Sequence, residues 1–173
     1  MSFKSTALLA AKSAGKILLK YYGRGEKPKE KPNKSLVSKA DLEANKAIIS
    51  IIKKNFSEHS ILSEETGFED KKSDYKWVID PLDGTHNFIH GIPVFGTSIA
   101  LEYRDKVILG VLNFPLLKLT AFAEKGKGAF VNGKRAGVSN KDKLDYSFIS
   151  VDYGQYDRKQ RLKMLENFGS KNI

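Results

Sequence analysis

The sequence contains no cysteine, and this absence excludes disulfide bonds, thiolate metal sites and cysteine nucleophiles. It also lacks any apolar run long enough to span a bilayer. Residues 5–11 are the nearest approach to a signal-peptide core, and Lys12 interrupts them too early. These absences predict a cytoplasmic protein with no membrane attachment. The chain of 173 residues is long enough for one domain, residues 1–173, with an apolar core.

Several catalytic signatures are also missing. No Gly-x-Ser-x-Gly segment is present, so a serine hydrolase of that type is excluded. The three histidines, His59, His86 and His90, do not have the spacing of a zinc peptidase. His86 and His90 are one helical turn apart, so either a metal role or a position at the rim of a phosphate site is open. The segment at residues 126–128 is too short for a phosphate loop and fits a strand turn.

Charge is distributed unevenly along a chain whose net charge is +10. Residues 1–36 hold nine Lys and Arg against two acids, residues 37–104 eight against eleven, and residues 105–173 thirteen against seven. The middle third is the only acidic part, so carboxylates that bind cations are expected there. The basic ends could contact nucleic acid, but they contain no basic run interleaved with aromatic residues. Solvated surface is therefore the favoured interpretation.

Hydrophobic periodicity predicts helices at residues 3–22 and 38–56. Ser38 and Asp41 have the spacing of a capping box at the start of the second helix. The segment at residues 24–34 is rich in Lys and Pro and is predicted as a loop. A further helix is predicted near the C-terminus at residues 156–168.

Short apolar segments separated by turn signals predict the strands of an antiparallel sheet. A strand at residues 61–63 is followed by a polar connection at residues 66–75. The remaining strands are predicted at residues 94–102, 107–114, 119–123, 129–131 and 146–151. Together with the helices they predict an α+β fold, an antiparallel sheet flanked by helices.

The most informative segment is WVIDPLDGTHNF at residues 77–88. Its first three residues predict a strand that is buried on both faces. Asp80 precedes a proline and stays extended, and the freedom of Gly84 allows a turn that brings Asp83 near Asp80. A short helix from Thr85 would direct its first N–H groups at an anion. Although such a pattern alone is more often a turn, two acids beside a phosphate cradle predict metal-assisted phosphate chemistry.

Residues 80–88, DPLDGTHNF, resemble the metal signature of the inositol monophosphatase family. The Glu64-Glu65 pair resembles a second element of that family, with Ser63 where many members have glycine or alanine. The resemblance covers nearly the whole chain and implies the N-terminal part of a layered αβαβα sugar-phosphatase fold. The third metal aspartate of the family, in a Trp-Asp-x-Ala element, has no counterpart in this sequence. This departure implies either a longer chain or an incomplete second metal site.

The resemblance also implies roles for individual residues. Mg²⁺ would be bound by the metal ligands Glu64, Asp80, the carbonyl of Leu82, and Asp83. The catalytic residues would be Asp41, Thr85 and Glu65. The substrate phosphate would be bound by Gly84, Thr85 and Asp83.

The function implied by the resemblance is Mg²⁺-dependent hydrolysis of inositol monophosphate, or of a related small sugar phosphate, by metal-activated water. The partner would be a small phosphorylated polyol or sugar, and a homodimer is expected. Bisphosphate-nucleotide and fructose-bisphosphate phosphatases are the alternatives within the same superfamily. An alternative of another class is a regulator that binds RNA or RNA polymerase, for which the charge of +10 is the support in the sequence.

Overall fold

The fold is that of a computed structural model of Met1–Ile173. The residues that the structure describes are 1–25, 28–30, 36–140, 143, 159–160, 162–163 and 166. The chain divides into two compact units, Met1–Ala136 and Gly137–Ile173, and all the elements below belong to the first unit. The strand predicted at residues 146–151 lies outside the described residues, as does most of the helix predicted at 156–168. The single domain expected over residues 1–173 stays a prediction.

Two long helices form one layer of the first unit. Helix α1 spans Phe3–Tyr21 and α2 spans Lys39–Asn55, which confirms both predicted helices. Alanines on the buried side of α1 allow a close approach to the sheet, and the amide of Asn113 donates to the carbonyl of Ala11 at 3.3 Å. Within the described residues, no helix is long and apolar enough to cross a membrane.

Among the described residues, ten strands and a third helix complete the first unit. The strands are β1 Lys29–Glu30, β2 Leu36–Val37, β3 Ser60–Ser63, β4 Gly67–Glu69, β5 Tyr75–Asp83, β6 Gly96–Tyr103, β7 Lys106–Phe114, β8 Leu119–Glu124, β9 Gly128–Val131 and β10 Lys134–Ala136. Helix α3 spans Thr85–Ile89 and follows β5 directly. Strands β1 and β2 form a separate pair, and the others form one sheet in the order β10-β9-β8-β7-β6-β5-β3-β4. Helices beside one sheet confirm the predicted α+β class.

Three details of the strands differ from the sequence predictions. The loops predicted at residues 24–34 and 66–75 contain the short strands β1 and β4. Strands of two or three residues show no alternation that could reveal them. The sheet is mixed, because β3 pairs with β5 in parallel while all its other pairs are antiparallel.

The core lies between the helical layer and one face of the sheet. Trp77 and Ile79 of β5 are buried there together with Ile99, Leu101 and Val111 of the next two strands. The other face of the sheet is open among the described residues of the first unit. Its side chains include Val78, which is half-buried, and Leu112, which is 42% exposed. The prediction that residues 77–79 are covered on both faces is therefore wrong for the second face.

Candidate metal centre

The parallel pairing of β3 with β5 creates the candidate site. In this pairing Ser63 is level with Ile79, so the next residues, Glu64 and Asp80, leave the pair at the same edge of the sheet. The amide of Glu64 donates to the carbonyl of Ile79 at 3.0 Å, which extends the pairing by one step. Two acidic side chains far apart in sequence are thereby held together at the ends of neighbouring strands.

A bulge in β5 brings a third carboxylate to the same side. Asp80 pairs with Ser98 and Asp83 with Gly96, so three steps along β5 match two steps along β6. Residues three apart point to opposite faces of a regular strand, but one extra residue restores the shared face. Proline suits such a position because it has no N–H to donate to the ladder, and the carbonyl of Pro81 accepts from the Thr97 hydroxyl at 3.0 Å.

The three carboxylates influence one another strongly. Burial, followed by the charges of Glu64 and Asp83, raises the pKa of Asp80 to about 7. A hydrogen bond from the Leu82 amide, 3.1 Å from Asp80 Oδ1, opposes this shift only in part. A hydrogen bond between the Asp80 and Glu64 side chains also favours the protonated form. Protonation of Asp80 therefore reduces the repulsion among the three carboxylates. A bound cation could reduce the same repulsion.

A tight turn connects the carboxylates to α3. Gly84 has φ 82°, a left-handed conformation that favours glycine, and an added Cβ would lie 3.0 Å from the Val94 carbonyl oxygen. The Thr85 hydroxyl donates to the carbonyl of Leu82 at 3.0 Å. The helix is anchored by Phe88, which is buried against Phe95 with ring centroids 5.0 Å apart. Strand, bulge, turn and helix thus form one rigid segment.

The exposed histidines lie on this short helix. His86 and His90 have ring centroids 6.5 Å apart, and His90 Nδ1 lies 2.8 Å from the carbonyl oxygen of His86. Their metal or rim role stays a prediction.

A second acidic pair lies where α2 begins. Asp41 is 1% exposed and closes the predicted capping box, because its Oδ2 accepts from the Ser38 amide at 2.8 Å and from the Ser38 hydroxyl at 2.5 Å. Burial raises the pKa of Asp41 against these hydrogen bonds, and with the smaller contribution of the Glu65 charge the pKa is about 6. Asp41 and Glu65 therefore interact, whereas no hydrogen bond joins Asp41 to Thr85.

The donor atoms of the site are oxygens and suit a hard cation, although the acidic side chains do not surround a common point. Among the described residues, no three Asp, Glu, His or Cys side chains are spaced as a ready-made metal site. The donors that this segment offers are oxygens, the carboxylates of Glu64, Asp80 and Asp83 and the carbonyl of Leu82, and Mg²⁺ prefers such ligands. The residues therefore fit Mg²⁺.

One buried residue beside the site was not identified from the sequence. Asn45 lies on α2 one turn after Asp41, and its Oδ1 accepts from the Ser63 hydroxyl at 2.8 Å. The available signal was a polar residue within the apolar side of an amphipathic helix.

The sequence and the fold have counterparts among known proteins. A model of the inositol monophosphatase family matches residues 2–170. The "Fructose-1,6-bisphosphatase/inositol-1-monophosphatase" of Aquifex aeolicus is 36% identical over 92% of this chain and 60% of its own length. The "Nus factor SuhB" of Pseudomonas aeruginosa is 35% identical over 94% of this chain and 61% of its own length.

A solved structure agrees with these sequence matches. The extragenic suppressor protein suhB from Bartonella henselae superposes with a TM-score of 0.78 at 37% identity. The superposition covers 82% of this chain and 56% of that one. The chain thus spans about 60% of the length of the two curated relatives named above. Because the family match extends over residues 2–170, the chain belongs to the inositol monophosphatase family.

Proposed function

We propose that this protein takes part in the Mg²⁺-dependent hydrolysis of small phosphate monoesters of polyols or sugars. The observation that carries the proposal is Asp80, whose pKa is raised to about 7 by burial and by the neighbouring charges of Glu64 and Asp83. Such a group is stabilised by a cation, and an all-oxygen donor set favours Mg²⁺. Family membership supports a phosphatase, since the Aquifex relative is named as one.

The cation would be held by residues from two neighbouring strand ends. Glu64, Asp80 and Asp83 would contribute carboxylates, and Leu82 its carbonyl oxygen. That oxygen already accepts from Thr85 at 3.0 Å, but a carbonyl oxygen has a second lone pair. When bound, Mg²⁺ would offset the negative charge of the phosphate and lower the pKa of a water molecule.

The turn after the carboxylates would orient the reactants. Because the Thr85 hydroxyl donates its proton to Leu82, its oxygen can accept a hydrogen bond from an attacking water. The amides of Gly84 and Thr85 lie at the first turn of α3, where N–H groups have no partner within the helix. They would donate to phosphate oxygens, and Asp83 would lie beside the same phosphate.

Asp41 and Glu65 would act as supporting acids. Both hydrogen bonds from Ser38 go to Oδ2 of Asp41, so Oδ1 is the oxygen that we expect to face the reaction. The pKa of Asp41 is about 6, raised by burial and then by the charge of Glu65. This value suits a group that takes up a proton near neutral pH. Since no hydrogen bond links Asp41 to Thr85, a water molecule would have to connect them.

A phosphate-release screen tests this proposal. The purified chain would be given inositol monophosphate, fructose 1,6-bisphosphate and an adenosine bisphosphate, each with and without Mg²⁺. Because the third metal aspartate of the family has no counterpart here, we expect weak release at most, which requires Mg²⁺ and falls further in Asp80→Asn. Asp74→Asn is the matched control, because Asp74 is an exposed partner of Arg104. Release that persists in Asp80→Asn, or a chain that neither binds Mg²⁺ nor releases phosphate, would contradict the proposal.

RNA binding is the second candidate function. The relative named as a Nus factor favours it, as do four exposed lysines of α1 and α2 that form no ion pair with described residues. These lysines are Lys12, Lys16, Lys46 and Lys54. If RNA binds there, the affinity should fall with added salt and should survive Asp80→Asn. Affinity that does not change when the four lysines are replaced by glutamine would exclude this surface. A cytoplasmic location and a homodimer stay predictions.

A further inference from the structure

We infer that Asn45 and Ser63 are positioning residues that hold the Glu64-Glu65 turn and thereby set the affinity of the candidate site for a divalent cation. The inference rests on the proposed function, because it concerns how strongly that site binds its cation. Neither residue contacts the cation in the proposal.

The Ser63 hydroxyl uses both of its hydrogen-bonding functions at the end of β3. It donates to Asn45 Oδ1 at 2.8 Å and accepts from the amide of Glu65 at 3.3 Å. Ser63 is 2% exposed and Asn45 is 1% exposed, so water competes little with either bond. One buried side chain of α2 is thereby linked through one hydroxyl to the backbone of an acidic residue.

A second hydrogen bond fixes the turn from the opposite side. The amide of Glu64 donates to the carbonyl of Ile79 on β5 at 3.0 Å. The amide of Glu64 is therefore held by the sheet. The next amide, that of Glu65, is held by the Ser63 hydroxyl, which Asn45 orients. With the peptide groups on both sides of Glu64 held, the Cα–Cβ direction of Glu64 is fixed, and its carboxylate loses less freedom when a cation binds.

The residue on α2 has a rigid support of its own. Asn45 follows Asp41 by four residues, so both lie on the buried side of the same helix. The capping box between Ser38 and Asp41 fixes the start of that helix. The helix therefore contacts the acidic turn from a fixed position.

A purely structural explanation of the Asn45–Ser63 bond makes a different prediction. Buried hydroxyl and amide groups need partners in any core, so the bond could serve stability alone. Ser60 distinguishes the two explanations, because it lies on the same strand with the same 2% exposure. Its hydroxyl accepts from the amide of Lys71 at 3.0 Å, at the end of β3 away from the carboxylates. Loss of either hydroxyl should affect stability, but only Ser63 should affect cation binding.

The test is a titration with Mn²⁺, which accepts the same oxygen ligands as Mg²⁺ and is detected by electron paramagnetic resonance. It would use the full chain and the variants Ser63→Ala, Asn45→Ala and Ser60→Ala, each checked for folding by its thermal transition. We expect the dissociation constant to rise by about 10-fold or more in the first two variants. Ser60→Ala should bind Mn²⁺ as the unmodified chain does.

Two further measurements separate positioning from general destabilisation. Ser63→Thr keeps the hydroxyl and should restore most of the affinity. The double variant Ser63→Ala/Asn45→Ala should bind no more weakly than either single variant, because both belong to one chain of hydrogen bonds. Hydrogen exchange at the Glu65 amide should accelerate in Ser63→Ala and not in Ser60→Ala. If Ser63→Ala does not fold, Asn45→Ala gives the same test with Ser63 intact.

The outcomes identify which statement fails. If the unmodified chain binds Mn²⁺ and both Ser63→Ala and Asn45→Ala bind equally well, the inference is overturned and the proposed function stands. Equal weakening by Ser60→Ala also overturns it, because the effect would then be one of stability. If the unmodified chain binds no Mn²⁺, the proposed function fails, and the inference fails with it.

Discussion

Replacing Asp80 with asparagine should change stability in opposite directions with and without Mg²⁺. Asparagine keeps an oxygen that can accept from the Leu82 amide, now at 3.1 Å, and removes the charge. Burial and the charges of Glu64 and Asp83 raise the pKa of Asp80 from 3.8 to about 7. This difference between the two pKa values corresponds to at most about 4 kcal/mol of destabilisation of the folded state when Asp80 ionises. Solvent screening of a partly exposed group reduces it to about 1–2 kcal/mol.

The sign follows from proton linkage. Between pH 3.8 and about 7 the folded state retains a proton on Asp80 that the unfolded state has lost. Raising the pH through this window therefore destabilises the unmodified chain. Asp80→Asn has no carboxyl group at this position and does not lose stability in this way. Without Mg²⁺ the variant should be more stable above pH 7 by about 1–2 kcal/mol. Below pH 4 the two proteins should be equally stable.

Mg²⁺ should reverse this order. At a concentration of 100 times the dissociation constant, a ligand bound only by the folded state stabilises it by about 2.7 kcal/mol. The unmodified chain should gain this stabilisation, whereas Asp80→Asn should gain much less. Urea unfolding at pH 8 measures the stability difference between the two proteins in EDTA and the stabilisation of each by Mg²⁺. Asp74→Asn serves as the control for loss of an exposed charge. Equal Mg²⁺ stabilisation of Asp80→Asn and the unmodified chain would refute the reasoning.

Three other changes test separate parts of the structure. Thr85→Ala should lower kcat strongly with little change in Mg²⁺ affinity, and Thr85→Ser should retain activity; an unchanged kcat would limit the hydroxyl to its bond with Leu82. Burial lowers the pKa of His59, whose Nδ1 accepts from the Trp77 indole at 3.1 Å, so stability should fall as pH drops below 6.5. Fluorescence of the sole tryptophan should follow this titration, and a pH-independent signal in folded protein would contradict it. Leu112→Lys on the open sheet face should reduce self-association in sedimentation without unfolding the chain, and unchanged association would exclude that face.

The sequence predicted the elements that carry strong local patterns. Amphipathic periodicity located α1 and α2, and the Ser38–Asp41 spacing located the capping box. An Asp-Pro step and a glycine located the strand, turn and helix around Asp80 and Gly84. In each case the residues that determine the structure are neighbours in sequence, so their pattern is sufficient.

The features that escaped prediction depend on partners distant in sequence. The parallel pairing of β3 with β5 requires β4 to occupy the outer edge of β3, and no pattern within β3 reveals this order. The bulge between Asp80 and Asp83 appears only in the register with β6. The Asn45–Ser63 bond joins α2 to β3 for the same reason. Sequence patterns thus identified the acids, and tertiary pairing determined how they meet.

The position of a bound cation is the most direct test of the central claim, that the ends of β3 and β5 form a divalent-metal site. Crystals of the chain grown with Mn²⁺ would be measured for anomalous scattering. We expect a peak that contacts carboxylate oxygens of both Glu64 and Asp80, and no such peak in crystals of Asp80→Asn. A Mn²⁺ ion that is bound elsewhere, with none at the ends of β3 and β5, would contradict this claim. A peak retained at the same place in Asp80→Asn would also contradict it.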